Sequence, residues 1–210
     1  MSKLFFQNRL AFTVLAASCF MVFAAMGTRQ TFGMFFNFFE NDLSISRTYF
    51  GLAIAIQAIA WGFVTFFLGI LADKFGASRV SCLALLIYAF GIYSLTQANS
   101  SGLMFLLNLG ILVGIGMGGG GAQLAVGAVS KHFPNANRSK ASGLVTAFGS
   151  LGMFVLPLIA AFSLQQTSWQ NTYIILVVLL LLAAIFALFI KLPETATITG
   201  NRVDAQSALA

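Results

Sequence analysis

The residues best equipped for chemistry in this chain point to the binding of an anion, not to catalysis. Arg29 is a lone cation inside the apolar stretch TRQTFGMFF, residues 28–36. It follows Leu10, where the first apolar run opens, by 19 residues. Along a helix that is about 28 Å, which sets Arg29 in the outer half of a bilayer. A charge at full depth costs at least about 2.5–3.5 kcal/mol, so something must offset it. Two readings meet that need. The side chain snorkels to the outer headgroups, or it stands in a water-filled cavity and attracts an anion, for which a guanidinium fork suits a carboxylate. No Asp or Glu lies in the middle of an apolar run; only Glu40 and Asp42, farther out, offer a carboxylate. Gln30, Gly33, Asn37, Gln57 and Gln123 complete the set of substrate-binding candidates around Arg29.

Catalytic and cofactor motifs fail on inspection. Gly76-Ala77-Ser78-Arg79 has the look of a serine nucleophile, but Ser78 sits among bases between two apolar runs. The only histidine, His132, follows the fourth apolar run and has no acid nearby. A nucleophile needs its base within about 3 Å. Gly116, Gly118 and Gly121 match G-x-G-x-x-G, yet the nucleotide reading needs a preceding strand and a βαβ unit. Cys19 and Cys82 both lie in apolar runs and give neither metal-ligand spacing nor a disulfide framework. The reading is therefore no enzyme, no cofactor and no metal. The half-helix turns of a water channel, Asn-Pro-Ala, are absent as well; Pro134-Asn135-Ala136 has the wrong order.

The elements that must hold these residues are membrane helices. The chain is 59% hydrophobic and 8% charged, against roughly 25% charged in soluble domains, and its mean hydropathy is +0.93. The net charge of +6 comes from scattered bases that form no stripe, which excludes nucleic acid as a partner. Six runs reach spanning length, at about 10–39, 48–71, 80–95, 103–131, 141–162 and 173–190. The connections ENDLSIS, QANSSG, HFPNANRSK and LQQTSWQN are polar and turn-rich. No run alternates like a barrel strand, so the fold class is all-α, a six-span membrane protein. The first run is about twice a signal-peptide core, and so reads as a span. Residues 1–9 become an N-terminal segment and 191–210 a tail. Lys3, Arg9, Lys74, Arg79, Lys131, Arg138, Lys140, Lys191 and Arg202 fall on one side, nine bases against Arg47 alone on the other. That places both termini in the cytoplasm.

The spans differ in ways that bear on function. The sixth, YIILVVLLLLAAIFALFI, is apolar all round and suits lipid. The fourth holds Gly110, Gly114, Gly116, Gly118, Gly119, Gly120, Gly121 and Gly127. These glycines read either as close packing through small-xxx-small spacing or as packing with bending, since each loosens a helix by about 1 kcal/mol against alanine. In the fifth, Ser142, Thr146 and Ser150 share a face, and Pro157 follows. This span reads as one that rocks about the proline, or as one that packs with its hydroxyls on their own i−4 carbonyls. In the second, Gln57, Trp61 and Thr65 share a face at i+4 spacing.

Between the second and third runs, GILADKFGASRV (69–80) carries Gly69, Asp73, Lys74, Gly76 and Arg79. This pattern resembles the cytoplasmic-loop signature of the major facilitator superfamily, departing at Ser78, where another base is frequent. RQTFGMFF (29–36), LAIAIQAIAWG (52–62), HFPNANRSKASGLVTAFGSLG (132–152) and WQNTY (169–173) resemble the bacterial monocarboxylate-transporter branch of that superfamily. The resemblance covers nearly all of 9–194. It implies two three-helix repeats, with spans one and four lining a central cavity, two and five flanking it, and three and six facing outward. It implies that a basic residue close to Arg29 holds the substrate carboxylate, and that Asp73 latches against a helix N-terminus in a second half. A local pair of Asp73 with Lys74 or Arg79 is the alternative. Two departures, Gly110 where drug exporters often have arginine and Leu156-Pro157-Leu158 without the antiporter glycine-proline repeat, favour uptake of small acids over drug efflux.

The superfamily fold has about 400 residues in two six-helix halves, with the substrate between them. The 210 residues here therefore read as the N-terminal half. The expected partners are the lipid bilayer, a small anionic substrate, and a C-terminal six-helix half or a second copy. The expected location is a bacterial inner membrane. A non-transporting protein that acts by assembly with a partner is the alternative.

Overall fold

Lipid offers the backbone no hydrogen-bond partner, so each apolar run must satisfy its own amides as a helix. The computed structural model describes residues 2–97, 101–133 and 135–190, and among them there is no strand. Six helices have spanning length: Leu10–Leu43, Arg47–Phe75, Ala77–Thr96, Gly102–Ser130, Asn137–Gln166 and Trp169–Ala187. They reach beyond the apolar runs because polar connections supply their caps. Ser46 and Ser168 each precede a helix and accept a hydrogen bond from the amides of Tyr49 and Asn171, both at 3.4 Å. The first helix already runs from Ser2, so the segment 2–9 continues the first span instead of forming a separate element. The tail 191–210, with Lys191 and Arg202, lies outside the described residues.

The bundle has an internal exchange symmetry. The first span packs on the fifth, and the fourth on the second. The third packs on the fourth, and the sixth on the first. The third also packs on the sixth, and the first on the fourth. Swapping spans one, two and three for four, five and six maps this set of pairs onto itself. That is the packing of two three-helix repeats.

Glycine makes the closest of these contacts. Along the fourth span, Gly110 and Gly114 face the second, where an added Cβ would lie 2.9 Å from Ile56 and 2.7 Å from Ala60. Gly116 and Gly119 face the third span and press on Tyr88 and Ala84. The symmetry-related crossing of spans one and five is also built on glycine. Gly152 lies against the backbone of Phe23, and a Cβ on Gly27 would come 2.6 Å from the Gly152 carbonyl. Without a hydrophobic force between helices in lipid, such backbone approach supplies the packing energy.

Two spans depart from regular α geometry. The first tightens to a 3-10 turn over Phe32–Phe35. The fourth widens to a π-helix over Leu106–Leu112 and breaks at Gly121, whose ψ of 177° is extended. The fifth runs through Pro157 as one helix, Asn135–Gln166. Its hydroxyls turn back on their own backbone, Thr146 on the Ser142 carbonyl at 3.1 Å and Ser150 on the Thr146 carbonyl at 3.4 Å.

Exposure is uneven among the spans. The second span is the least buried, with Ile59, Phe63 and Phe66 bare, and the fifth is next, with Phe154 and Phe162 bare. The third and sixth pack on each other, while Leu85 and Tyr88 of the third are buried against Gly120 and Gly116 of the fourth.

At the end of the bundle remote from the 69–80 loop, an aromatic cluster joins four spans. Phe39 sits 5.1 Å from Phe105, 5.6 Å from Trp169 and 6.2 Å from Phe50, ring centre to ring centre. Phe35 stacks on Tyr173 at 4.2 Å. The Trp169 indole donates to the Asp42 carboxylate, tying the first span to the sixth.

Candidate anion-binding site

The first span changes from α to 3-10 two residues after Gln30, and there a cavity opens toward the second span. Its volume is about 280 Å³, and its walls are Arg29, Gln30, Phe32, Gly33, Phe50, Ile54 and Gln57. A water takes up about 30 Å³ in the liquid, so the space holds a small organic anion or several waters. Gln30 and Gly33 are exposed at the lip. Gln57 is wholly buried at the floor. A side chain at Gly33 would meet nothing within 4 Å, so glycine there leaves the mouth open without being needed for packing.

Arg29 is half-buried, with its guanidinium 5.5 Å above the centre of the Trp61 ring. Such a cation–π contact is worth up to about 2 kcal/mol once desolvated. It offsets part of the membrane cost without consuming the N–H donors that lie in the guanidinium plane. The two outer carboxylates are engaged elsewhere: Glu40 faces Arg47 at 4.0 Å, and Asp42 accepts from Trp169. Among the described residues no carboxylate pairs with Arg29, and its buried Nε has no partner. Gln57 is in the same condition, since neither Nε2 nor Oε1 has a partner. An unpaired cation beside an unpaired amide in a small cavity is the chemistry of anion capture.

Of the sequence candidates, the structure gathers Arg29, Gln30, Gly33 and Gln57. It does not bring the other two. Asn37 lies beyond the 3-10 turn, exposed on Phe36–Leu43. Gln123 lines a different cavity of about 210 Å³, with Gly69, Asp73, Gly127 and Lys131. The reason is depth: Gln123 follows the break at Gly121 and belongs to the half of span four nearer the 69–80 loop. Phe32, Phe50, Ile54 and Trp61 are the site residues that the candidate set missed. Trp61 had a readable signal, its i+4 spacing from Gln57, and Thr65 continues that face by donating to the Trp61 carbonyl at 2.6 Å.

The loop residues form a separate group. Asp73 pairs with Lys131 at 3.0 Å, not with Lys74 or Arg79 as a local pair would require. Lys74 lies 5.3 Å from the Phe75 ring centre. Ser78 Oγ donates to the Leu188 carbonyl at 3.2 Å, which makes it a fastening for the sixth span and not a nucleophile. Gly76 is required by geometry. It ends the second span and begins the third at φ +93° and ψ 134°, a conformation that other residues adopt only under strain. Gly76→Val is expected to cost on the order of 1–3 kcal/mol of stability. Thermal unfolding in detergent reads this directly, and a midpoint unchanged from wild type would refute the strain argument.

The Major Facilitator Superfamily model matches residues 18–208. Over 163 residues the chain is 25% identical to a probable sulfoacetate transporter of Cupriavidus necator, covering 78% of this chain and 37% of that protein. It is 30% identical over 135 residues to a niacin transporter of Acinetobacter baylyi, covering 64% of this chain and 30% of the relative. A probable nitrate transporter of Staphylococcus carnosus is 28% identical over 153 residues, 72% of this chain and 38% of the relative. The chain thus spans between about 30% and 38% of the length of these relatives. All three relatives are named as transporters. By the match over residues 18–208 and the six-span, two-repeat packing, the chain belongs to the major facilitator superfamily.

Proposed function

We propose that this chain takes part in membrane transport of a small organic anion, a monocarboxylate, and that Arg29 holds the anionic group. The observation that carries this reading is the unpaired Arg29 guanidinium over Trp61, beside the unpaired Gln57 amide in the 280 Å³ cavity. A single cation in the lining matches a single negative charge. Relatives named for sulfoacetate, niacin and nitrate make an anionic substrate a coherent choice. Transport is by alternating access against a second six-helix half, which the short coverage of the relatives and the bare faces of spans two and five both favour. The setting is a bacterial inner membrane, and the nine-to-one base distribution favours both termini in the cytoplasm.

Uptake of labelled small acids into proteoliposomes tests this. Made alone, the chain is expected to insert and associate but to show no saturable uptake. Reconstituted with a complementary C-terminal half, it is expected to take up a monocarboxylate saturably. Saturable uptake by a strictly monomeric 210-residue protein would overturn the two-half mechanism. Failure of every acid in the paired form would overturn the substrate class.

A further inference from the structure

At the end of the bundle that holds the 69–80 loop, span one is left uncovered between spans five and six. Those two spans join at 167–168, at the opposite end, and have little direct contact. Two apolar grooves run along span one in the gap. One, of about 470 Å³, lies toward span five and is walled by Leu15, Cys19, Phe23, Leu144 and Phe148. The other, of about 260 Å³, lies toward span six and is walled by Thr13, Ala17, Phe186 and Phe189. They share Phe12 and Ala16. Beyond those residues Phe20 of the first groove meets Phe186 of the second, ring centres 4.8 Å apart, and divides them. The outline is a fork with its mouth at Phe12, whose ring is bare.

Positive charge stands at that mouth. Lys140 is exposed, one turn before Leu144 on the same face of span five. Helical side chains lean toward the N-terminus, so its ammonium is directed to the membrane surface and away from the apolar walls. In the register of the first helix, Arg9 continues the stripe of Phe12, Ala16 and Phe20, three residues before Phe12. Among the described residues the one acid at this end is Asp73, and Lys131 holds it at 3.0 Å. No described carboxylate pairs with Lys140. A base above a crevice between helices, on the basic side of a membrane protein, is the chemistry that holds anionic lipid headgroups. We infer that this fork binds one anionic diacyl phospholipid, with its phosphodiester at Lys140 and one acyl chain in each groove. The apolar walls alone choose no headgroup, since every membrane lipid has acyl tails; the base at the mouth makes the choice. A crevice divided by a ring contact suits two thin chains, where a helix about 10–12 Å across would bridge over it.

The test is a lipid titration of the full chain, delipidated in detergent. Native mass spectrometry counts the lipids retained, and thermal unfolding is the second readout. The probes are phosphatidylglycerol and phosphatidylcholine with the same acyl chains. The expected result is one phosphatidylglycerol per chain, bound at least about tenfold tighter than phosphatidylcholine, with a raised unfolding midpoint. Lys140→Gln is expected to weaken phosphatidylglycerol about fivefold and to leave phosphatidylcholine unchanged. Adding Arg9→Gln is expected to remove most of the remaining preference. Lys74, an exposed base at the same membrane end but off the fork, is the control, and Lys74→Gln should shift the affinity by less than about twofold. Ala16 is exposed on the shared floor, so Ala16→Leu should leave the bundle folded while blocking both arms and abolishing the tight binding. Equal affinity for the two lipids, or equal losses in Lys140→Gln and Lys74→Gln, would reduce the contact to general surface charge and overturn the site. Undiminished binding by Ala16→Leu would overturn the fork as its location. Loss of the lipid on addition of a complementary C-terminal half would assign the crevice to that half and overturn the lipid as its occupant.

Discussion

Arg29→Ala is expected to raise the dissociation constant for a small monocarboxylate by about a hundredfold or more. Charge-assisted hydrogen bonds are worth about 1.5–3 kcal/mol each, and the guanidinium fork makes two. Arg29→Lys keeps the charge but loses the planar fork, so it should fall between, weaker than wild type by about 1–3 kcal/mol. Trp61 supplies a built-in reporter. It is one of two tryptophans, and the other, Trp169, is committed to Asp42 at the opposite side of the aromatic cluster. Drawing the guanidinium away from the Trp61 face toward a ligand should change its emission, and Arg29→Ala should abolish that response. Unchanged apparent affinity in Arg29→Ala would instead mean that the arginine serves only to snorkel and to hold Trp61.

The second large effect is on assembly. Gly152→Ala adds one methyl where the first and fifth spans touch backbone to backbone, against the Phe23 carbonyl. A backbone carbonyl cannot rotate aside as a side-chain tip can, so the two helices must separate. Overpacking of this kind costs about 1–3 kcal/mol and sometimes more, and the upper end is expected here. Gly143→Ala in the same helix is the control, because its added methyl meets nothing within 4 Å. That change should be neutral or stabilising by up to about 1 kcal/mol through helix propensity. Unfolding in mixed detergent micelles should therefore shift down for Gly152→Ala and stay or shift up for Gly143→Ala, two chemically identical substitutions. Equal shifts would show that the glycine crossing is not what holds spans one and five.

The contrast between these glycines marks what the sequence could and could not convey. Apolar length alone delivered the six spans, because lipid leaves the backbone no other solution. Glycine spacing announced close packing in the fourth span. It could not say that Gly114 meets the second span while Gly116 meets the third, since facing partners are long-range facts. Asp73 shows the same limit. Its neighbours in sequence were visible, but its partner Lys131 is 58 residues away, brought near by the antiparallel return of the fourth span. Around Arg29, the scarcity of intramembrane acids already implied an unpaired cation, and i+4 spacing set Trp61 with Gln57. Gln123 lies apart from Arg29 because it follows the interruption of span four at Gly121. The interruption at Gly121 is a backbone event, with no single-residue signature among so many glycines.

The bundle is mechanically uneven from one membrane face to the other. At one face, interlocked rings and the Asp42–Trp169 link couple spans one, two, four and six into a stiff plate. At the other, the ties include an exposed Asp73–Lys131 pair, the Ser78 fastening and a Phe20–Phe186 ring contact at 4.8 Å, with the fourth helix already interrupted. Exposed ion pairs of that kind contribute at most about 1 kcal/mol. Compliance is therefore concentrated on the basic side, and the anion cavity, bordering the plate, sits where the frame deforms least. A ligand held there would feel a nearly fixed wall on its own side while the yielding end carried the displacement.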